Sequence, residues 1–241
     1  MTKLHKELLA RIDKAVLEYD MFERGDHILA AVSGGADSMA LLDLLAQRIC
    51  YMKDINLSAV YVDMGFGEYV QEREKMMNDF YDFCKVKGRI IKSAIGPYAH
   101  SEANRENPCF LCTRRRRKII FETADELGCN KIAWGHHKDD MVETLLLNMF
   151  YNREISTMPP RLEVFHGKFQ ILRPLMYIEE ELLKKHVKER GLPVFGQDCP
   201  SDGHTKRQYA KELLLQIEKD IPGVRENIFN SMKRVEMDYL L

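Results

Sequence analysis

The chain has 241 residues, 45% hydrophobic and 30% charged, with a formal net charge of −1, the profile of a soluble globular protein with one substantial core. No apolar run approaches the roughly 20 residues needed to cross a bilayer, and residues 1–6 lack the apolar stretch of a signal peptide, so a cytoplasmic protein without membrane attachment is expected. Six cysteines in that compartment point away from structural disulfides and, where they cluster, towards metal or redox chemistry; the near-zero net charge excludes a uniformly basic nucleic-acid coat.

Leu4, Leu8, Leu9, Ile12, Val16 and Leu17 fall on one helical stripe, predicting an amphipathic helix within residues 1–24. His27 to Val32 reads as a buried strand, and Met39, Leu41, Leu42, Leu44 and Leu45 as the apolar face of a helix running to about Cys50. Leu57 to Val62 reads as a second strand, ending at Asp63. Glu68 to Lys87 reads as a polar helix stopped by Gly88, Arg89 to Ala94 as a third strand, and Gly96 to Pro108 as a loop. A cysteine pair then opens a helix to about Leu127, stopped by Gly128. Lys131 to Trp134 is a short strand, followed by a helix from Asp139 to about Phe150.

This alternation predicts an α/β fold with a doubly wound parallel sheet over residues 25–160, binding ligands beyond the carboxyl ends of its strands. In residues 161–241, Arg161 to Phe165 and Phe169 to Leu172 flank His166-Gly167 as a hairpin, a lid or a sheet edge. Ile178 to Arg190 is a helix ending at Gly191. From about Thr205 two helices broken at Pro222-Gly223 form a small C-terminal helical extension.

The most informative run is Ser33-Gly34-Gly35-Ala36-Asp37-Ser38, between the first strand and its helix. A glycine pair there lets backbone N–H groups converge on an anion at the positive end of the helix dipole. The Ser33 and Ser38 hydroxyls can donate to phosphate oxygens, and Asp37 can hold a magnesium ion beside them. The Walker lysine is missing, which excludes a kinase or GTPase loop. Gly135-His136-His137-Lys138-Asp139-Asp140, with Glu143-Thr144, lies at another strand end. Asp139 and Asp140 can cap the following helix or orient magnesium or substrate, and His136 can contact phosphate or move a proton. Cys109-Phe110-Leu111-Cys112 places two thiols at a helix start: a dithiol redox pair, half a zinc site, or two ligands of an iron–sulfur cluster. Cys199, in Asp198-Cys199-Pro200-Ser201-Asp202, is the one other cysteine in a polar loop; Cys50, Cys84 and Cys129 read as packing residues. Arg114 to Lys118 puts five positive charges in a row directly after the cysteine pair, a solvated face or a phosphate or RNA contact.

The loop resembles the SGGxDS loop of the PP-loop ATP pyrophosphatases, which split ATP between the α- and β-phosphates and adenylate a substrate oxygen. Together with CFLCTRRRRK, GHHKDDMVETLLLN, MPPRL, ILRPL and the CPSDGHTKRQYAKELLLQIEKDIPGVRENIFNSM tail, it resembles the TtcA/TtuA group of tRNA thiolation enzymes over residues 25–235, more closely its 2-thiocytidine branch. The resemblance implies an adenine nucleotide α-hydrolase-like fold, ATP and magnesium, and a [4Fe-4S] cluster on three cysteines, which here are Cys109, Cys112 and Cys199. It implies adenosine held at the strand end of Val62 and Asp63, and Asp140 as the functional acid of the Asp139-Asp140 pair. It also implies a tRNA substrate, a sulfur donor (cysteine desulfurase or sulfide) and a homodimer. Asp37, Asp140 and Cys199 are then the expected catalytic residues; Ser33, Gly34, Gly35, Ser38, Gly135 and His136 complete the nucleotide site. Rival readings are a lysidine-type tRNA ligase, a PP-loop enzyme thiolating a small metabolite, and a redox-sensing nucleotide-binding protein. Two departures stand out: Ser201-Asp202 follow where the 2-thiocytidine enzymes often have a second cysteine, and Arg116 stands where the thiouridine branch has lysine.

Overall fold

Continuous apolar runs form the central strands because both faces of the sheet are covered. In the computed structural model, which describes residues 2–67, 69–196, 198–201 and 206–239, β1 (His27–Val32) and β2 (Asn56–Asp63) are buried almost throughout. With β3 (Lys87–Lys92), β4 (Lys131–Trp134), β5 (Arg161–Val164) and β6 (Phe169–Leu172) they make one sheet of order β3-β2-β1-β4-β6-β5. Every pairing is parallel except β5 with β6. The chain lays down β1, β2 and β3 towards one edge, then returns to place β4 on the other side of β1. That reversal leaves a crevice between the carboxyl ends of β1 and β4, the place where sheets of this kind bind ligands.

Contacts divide the chain into two units, Met1–His137 with Pro159–Asp202, and Lys138–Met158 with Gly203–Leu241. The first holds the sheet. In it α2 (Ala36–Ile49) packs on β1 and β2 and against α1 (Lys3–Glu18), α3 (Val70–Cys84) and α7 (Glu180–Arg190). On one sheet face Leu29, Ala31, Val60 and Val62 meet Ile120 and Ala124 of α5 (Pro108–Glu126) and Ile95 of the short helix α4 (Ile95–Ala99). A buried polar cluster joins the other helices: Asp43 of α2 accepts from His186 (2.9 Å) and Arg190 (2.9 Å) of α7, with the His5 ring of α1 centred 5.2 Å from that of His186. His5, Asp43 and His186 present ligand atoms within 4.8 Å of one another. The Arg190 guanidinium engages both Asp43 oxygens, so the cluster reads as an ion-paired pin between helices. The second unit packs α6 (Lys138–Leu147), which ends in a π-helical turn at Asn148–Asn152, with α8 (Lys206–Asp220) and α9 (Val224–Ser231).

Several local expectations change. α3 stops at Cys84 because Lys85 takes the left-handed conformation and closes the helix. Gly88 is a β3 residue opposite Ala59; it is small because a Cβ there would lie 2.0 Å from the Tyr81 ring. The expected 96–108 loop contains most of α4, and the 139–150 helix gives way to the π turn after Leu147. The hairpin is a sheet edge, joined through β6 to β4. Glu68, Asp202 and Thr205 lie outside the described residues. Among the described residues no helix is long and apolar enough to cross a membrane.

Candidate functional site

β1 ends at Val32 and the chain turns into α2 through Ser33, Gly34 and Gly35. Gly34 sits at φ +87°, and a Cβ there would lie 2.5 Å from the Phe195 ring. The Phe195 N–H donates to the Gly34 carbonyl (3.0 Å), and its ring meets Tyr61 edge-on at 5.6 Å. Glycine is therefore required at position 34 twice over, by backbone sign and by the aromatic ring above it. Gly35 is the N-cap of α2 at φ −75°, and no side chain caps the helix. The first-turn N–H groups of such an end are suited to an anion.

The two serines shape the loop from within. Ser38 Oγ donates to the Gly35 carbonyl (2.9 Å) and accepts from the Ser33 N–H (3.0 Å), with the Ser33 hydroxyl 3.0 Å away. Gly135, just past β4, lies against this turn: a Cβ would be 3.2 Å from Ser38 N and Cα. Its small size lets the two strand ends close on one another. Behind it, His136 stacks on Trp134 with ring centroids 5.9 Å apart. The buried His137 places Nε2 3.7 Å from Asp37 Oδ2. Of the histidine pair, His137 thus faces the loop acid, a partner the sequence reading did not single out.

Arg116 also reaches this turn. It lies on the inner face of α5, one helical turn from Cys112 and one from Ile120, and donates to the Val32 carbonyl at 3.1 Å. Burial draws its pKa below the ordinary guanidinium value, opposed by neighbouring Tyr61. The basic run is therefore not one surface. Arg114 turns outward over Phe110, Arg115 over Tyr98 and Arg117 over Trp134, while Arg116 points to the loop.

Val62 is wholly buried in the core, so its backbone is what it can offer a ligand. The Asp63 carboxylate accepts from the Gly65 N–H (2.8 Å), and its carbonyl accepts from Ser93 Oγ (2.7 Å), fixing the turn beyond β2.

Cys109 and Cys112 lie one helical turn apart at the start of α5, which Pro108 opens and the Asn107 side chain caps by accepting from the Phe110 N–H (3.2 Å). Cys112 and Cys199 both pack on the core, and burial together with the nearby Cys199 and Cys109 thiols pushes the Cys112 thiol up. Cys199 Sγ lies 3.8 Å from His100 Nε2. The loop carrying Cys199 is tied down by Asp198, which accepts from Arg73 (2.5 Å); Arg73 also donates to the Phe66 carbonyl (2.7 Å). Among the described residues, His5, Asp43 and His186 form the group drawn within 4.8 Å as a single ion requires, and the three thiols do not. Three neighbouring cysteines at wider spacing suit a multi-iron cluster, whose thiolates bind separate irons, better than one zinc ion.

Asp139 and Asp140 open α6 in the second unit. Arg225 of α9 pairs with Asp139 at 2.7 Å, and Arg207 of α8 with Asp140, also donating to Thr144 at 3.2 Å. Lys138 pairs with Glu226. These ion pairs hold the acidic start of α6 against both tail helices. No motif in the sequence pointed to Phe195, His100 or the Arg73–Asp198 anchor. Arg116 was discoverable from its four-residue spacing after Cys112.

The PP-loop domain family matches residues 4–216. The chain is 36% identical to tRNA-cytidine(32) 2-sulfurtransferase of Nitrosospira multiformis, over 99% of this chain and 80% of that protein. It is 34% identical to the protein of the same name from Actinobacillus pleuropneumoniae, over 99% and 75%. Among solved structures it resembles the U34-tRNA thiolase NcsA from Methanococcus maripaludis with its [4Fe-4S] cluster, with TM-score 0.79 and 21% identity over 99% of this chain and 80% of that one. At that identity the likeness speaks for the fold.

Proposed function

Because the chain belongs to the PP-loop domain family, we propose that it is an ATP-dependent tRNA sulfurtransferase that replaces the C2 oxygen of a cytidine with sulfur, the activity in the names of its relatives. The observation that carries this reading is the pairing of the glycine turn at the β1 end with the neighbouring thiols of Cys109, Cys112 and Cys199.

The base oxygen attacks the α-phosphate of ATP; the new O–P bond forms as the bond to the β-phosphate breaks and pyrophosphate leaves. Gly34, Gly35 and the end of α2 receive the phosphates, Ser33 and Ser38 hold the turn in shape, and Asp37 would hold a magnesium ion that screens the phosphate charge. His137 keeps Asp37 oriented, and Arg116 brings positive charge to the turn. Val62 and Asp63 mark the adenosine side, and Gly135 and His136 the β4 side. Asp140, paired with Arg207, would be the second acid and orient magnesium or substrate. Adenylation makes C2 electrophilic; a C–S bond then forms there while the C–O bond breaks and AMP carries the oxygen away. Cys109, Cys112 and Cys199 would hold a [4Fe-4S] cluster, which would supply the sulfur-carrying chemistry. Outward-facing Arg114 and Arg115 guide the tRNA backbone. A cysteine desulfurase or sulfide provides the sulfur, and the protein works as a cytoplasmic homodimer.

The test is nucleoside mass spectrometry of tRNA from a deletion strain complemented with wild-type or Cys199→Ala protein. Loss of 2-thiocytidine restored by wild type alone is expected. An unchanged thionucleoside profile would overturn the reading in favour of a small-metabolite enzyme. Activity surviving replacement of all three cysteines would favour a lysidine-type ligase.

A further inference from the structure

The outer side of α5 and the β5–β6 hairpin enclose an open cavity of about 590 Å³, within the roughly 300–1,000 Å³ of small-ligand sites. The phosphate chemistry above makes no use of it. Its floor is aromatic. Phe121 meets Phe165 edge-on at 4.9 Å and Phe169 at 5.6 Å, and Phe165 and Phe169 are 6.1 Å apart. Phe110, from the first turn of α5, also lines the cavity. Phe110 and Phe165 are 58% and 60% exposed, large apolar surfaces to leave in water.

The hairpin turn shows that this exposure is built in. Phe165 has φ +52° and His166 φ +56°, followed by Gly167 at +85°. A bulky aromatic residue in the left-handed region is a backbone outlier, and such outliers cluster where a side chain must be presented to a ligand. The turn is closed by Lys168 N–H donating to the Phe165 carbonyl (3.2 Å), which aims the ring over Phe121.

The rim is basic. Lys168 pairs with Asp125 at 2.7 Å and Lys118 with Glu122 at 3.6 Å, which accounts for both acids of the lining. Arg114 lies over Phe110 and pairs with Glu106 at 2.9 Å, so the positive charge at the mouth comes from Arg117, held over Trp134. Exposed rings under a cationic rim are the arrangement by which proteins hold unpaired nucleotides, stacking the base and pairing the backbone phosphate. A hydrophobic protein segment would not draw on the Arg117 charge.

We propose that this cavity binds an unpaired nucleotide of the substrate RNA other than the one being modified, its base stacked on Phe165 and Phe110 and its phosphate on Arg117. The inference rests on the tRNA sulfurtransferase reading and extends it. Stacking tolerates any base, so the pocket anchors the strand without reading its sequence.

The test uses the cluster-loaded protein and a stem-loop RNA carrying the target cytidine, with 2-aminopurine placed in turn at each other unpaired loop position. One position is expected to be quenched by wild type and not by Phe165→Ala. RNA affinity is expected to fall on the order of ten-fold in Phe165→Ala and to return in Phe165→Trp. Arg117→Gln is expected to lower the salt slope of binding by about 0.7. Phe165→Ala should leave ATP affinity unchanged, and loss of its contact with Phe121 should lower Tm by no more than about 1–6 °C. If wild type binds and thiolates RNA but Phe165→Ala matches it in affinity and quenching, the inference falls and the function stands. The same result with lost thiolation in cells would mean the face serves a protein partner, which also overturns it. If wild type neither binds nor thiolates tRNA, the functional reading itself falls.

Discussion

The adjacent glycines of the SGGADS turn look equivalent in sequence, and the structure predicts that alanine separates them. At Gly34 a side chain meets two penalties. A left-handed φ of +87° costs a non-glycine residue about 1–2 kcal/mol. A Cβ 2.5 Å from the Phe195 ring adds overpacking of about 1–3 kcal/mol, since the ring is held by its own N–H bond to Gly34 and by Tyr61. Their sum, roughly 2–5 kcal/mol, corresponds to a fall in Tm of about 4–20 °C at this chain length. Gly35 has an ordinary φ of −75° and finds nothing nearer than Ser33 Oγ at 3.5 Å. Gly35→Ala should lose only the few tenths to about 1 kcal/mol of an N-cap exchange, so a larger loss of ATP affinity in it reports approach of the phosphates.

Calorimetry gives the melting temperatures, and titration with ATP the affinities. The two penalties also separate from one another: in a Phe195→Ala background, Gly34→Ala should cost only the backbone part, leaving a coupling of about 1–3 kcal/mol between the sites. A Gly34→Ala protein melting within about 1 °C of wild type, or an equal cost in both backgrounds, would refute the reasoning.

Three further outcomes are expected. Arg73→Ala removes the donor to the Phe66 carbonyl and frees Asp198; it should cost about 1–3 kcal/mol and lower iron content and visible absorbance while ATP affinity holds. His5 and His27 are both depressed below 6.5, chiefly by burial. The unfolded chain then takes up more protons as pH falls through about 6.5, so stability declines on acidification; Tm followed from about pH 8 to pH 5 should drop, less so in His5→Gln. Gly88→Ala drives a methyl into the Tyr81 ring, 2.0 Å away, and should lower stability by about 1–3 kcal/mol in denaturant titrations without changing ATP affinity.

What could be read from the sequence was whatever repeats with a short period or sits next to its partner in the chain. Alternating strand and helix patterns gave the parallel sheet, and the Ser33–Ser38 run lies where a strand feeds a helix. Gly88 shows the limit of such reading. A glycine after a polar helix is a stop signal in most chains, yet here Lys85 ends the helix and Gly88 makes room for Tyr81. The reason lies in tertiary packing, which local pattern does not carry. Likewise the five-charge run gave no sign that Arg116 turns inward; only its spacing from Cys112 and Ile120 along one helix face says so.

The partners that no motif announces have one feature in common. Phe195, His100 and Asp198 come from connecting segments, and each meets a residue far away in sequence: Gly34, Cys199 and Arg73. Strand ends fix where chemistry can occur, because the parallel sheet collects them along one edge. The connecting segments fix the shape of what binds there. Phe195 covers the glycine turn at Gly34, and the Asp198 anchor sets the position of the Cys199 thiol two helices away from its partners in sequence. Disturbing the two anchored segments should therefore move cluster retention and nucleotide affinity separately. Comparing Arg73→Ala with Gly34→Ala makes that distinction measurable: iron loss with intact ATP binding in the first, and loss of ATP binding with a lowered melting point in the second.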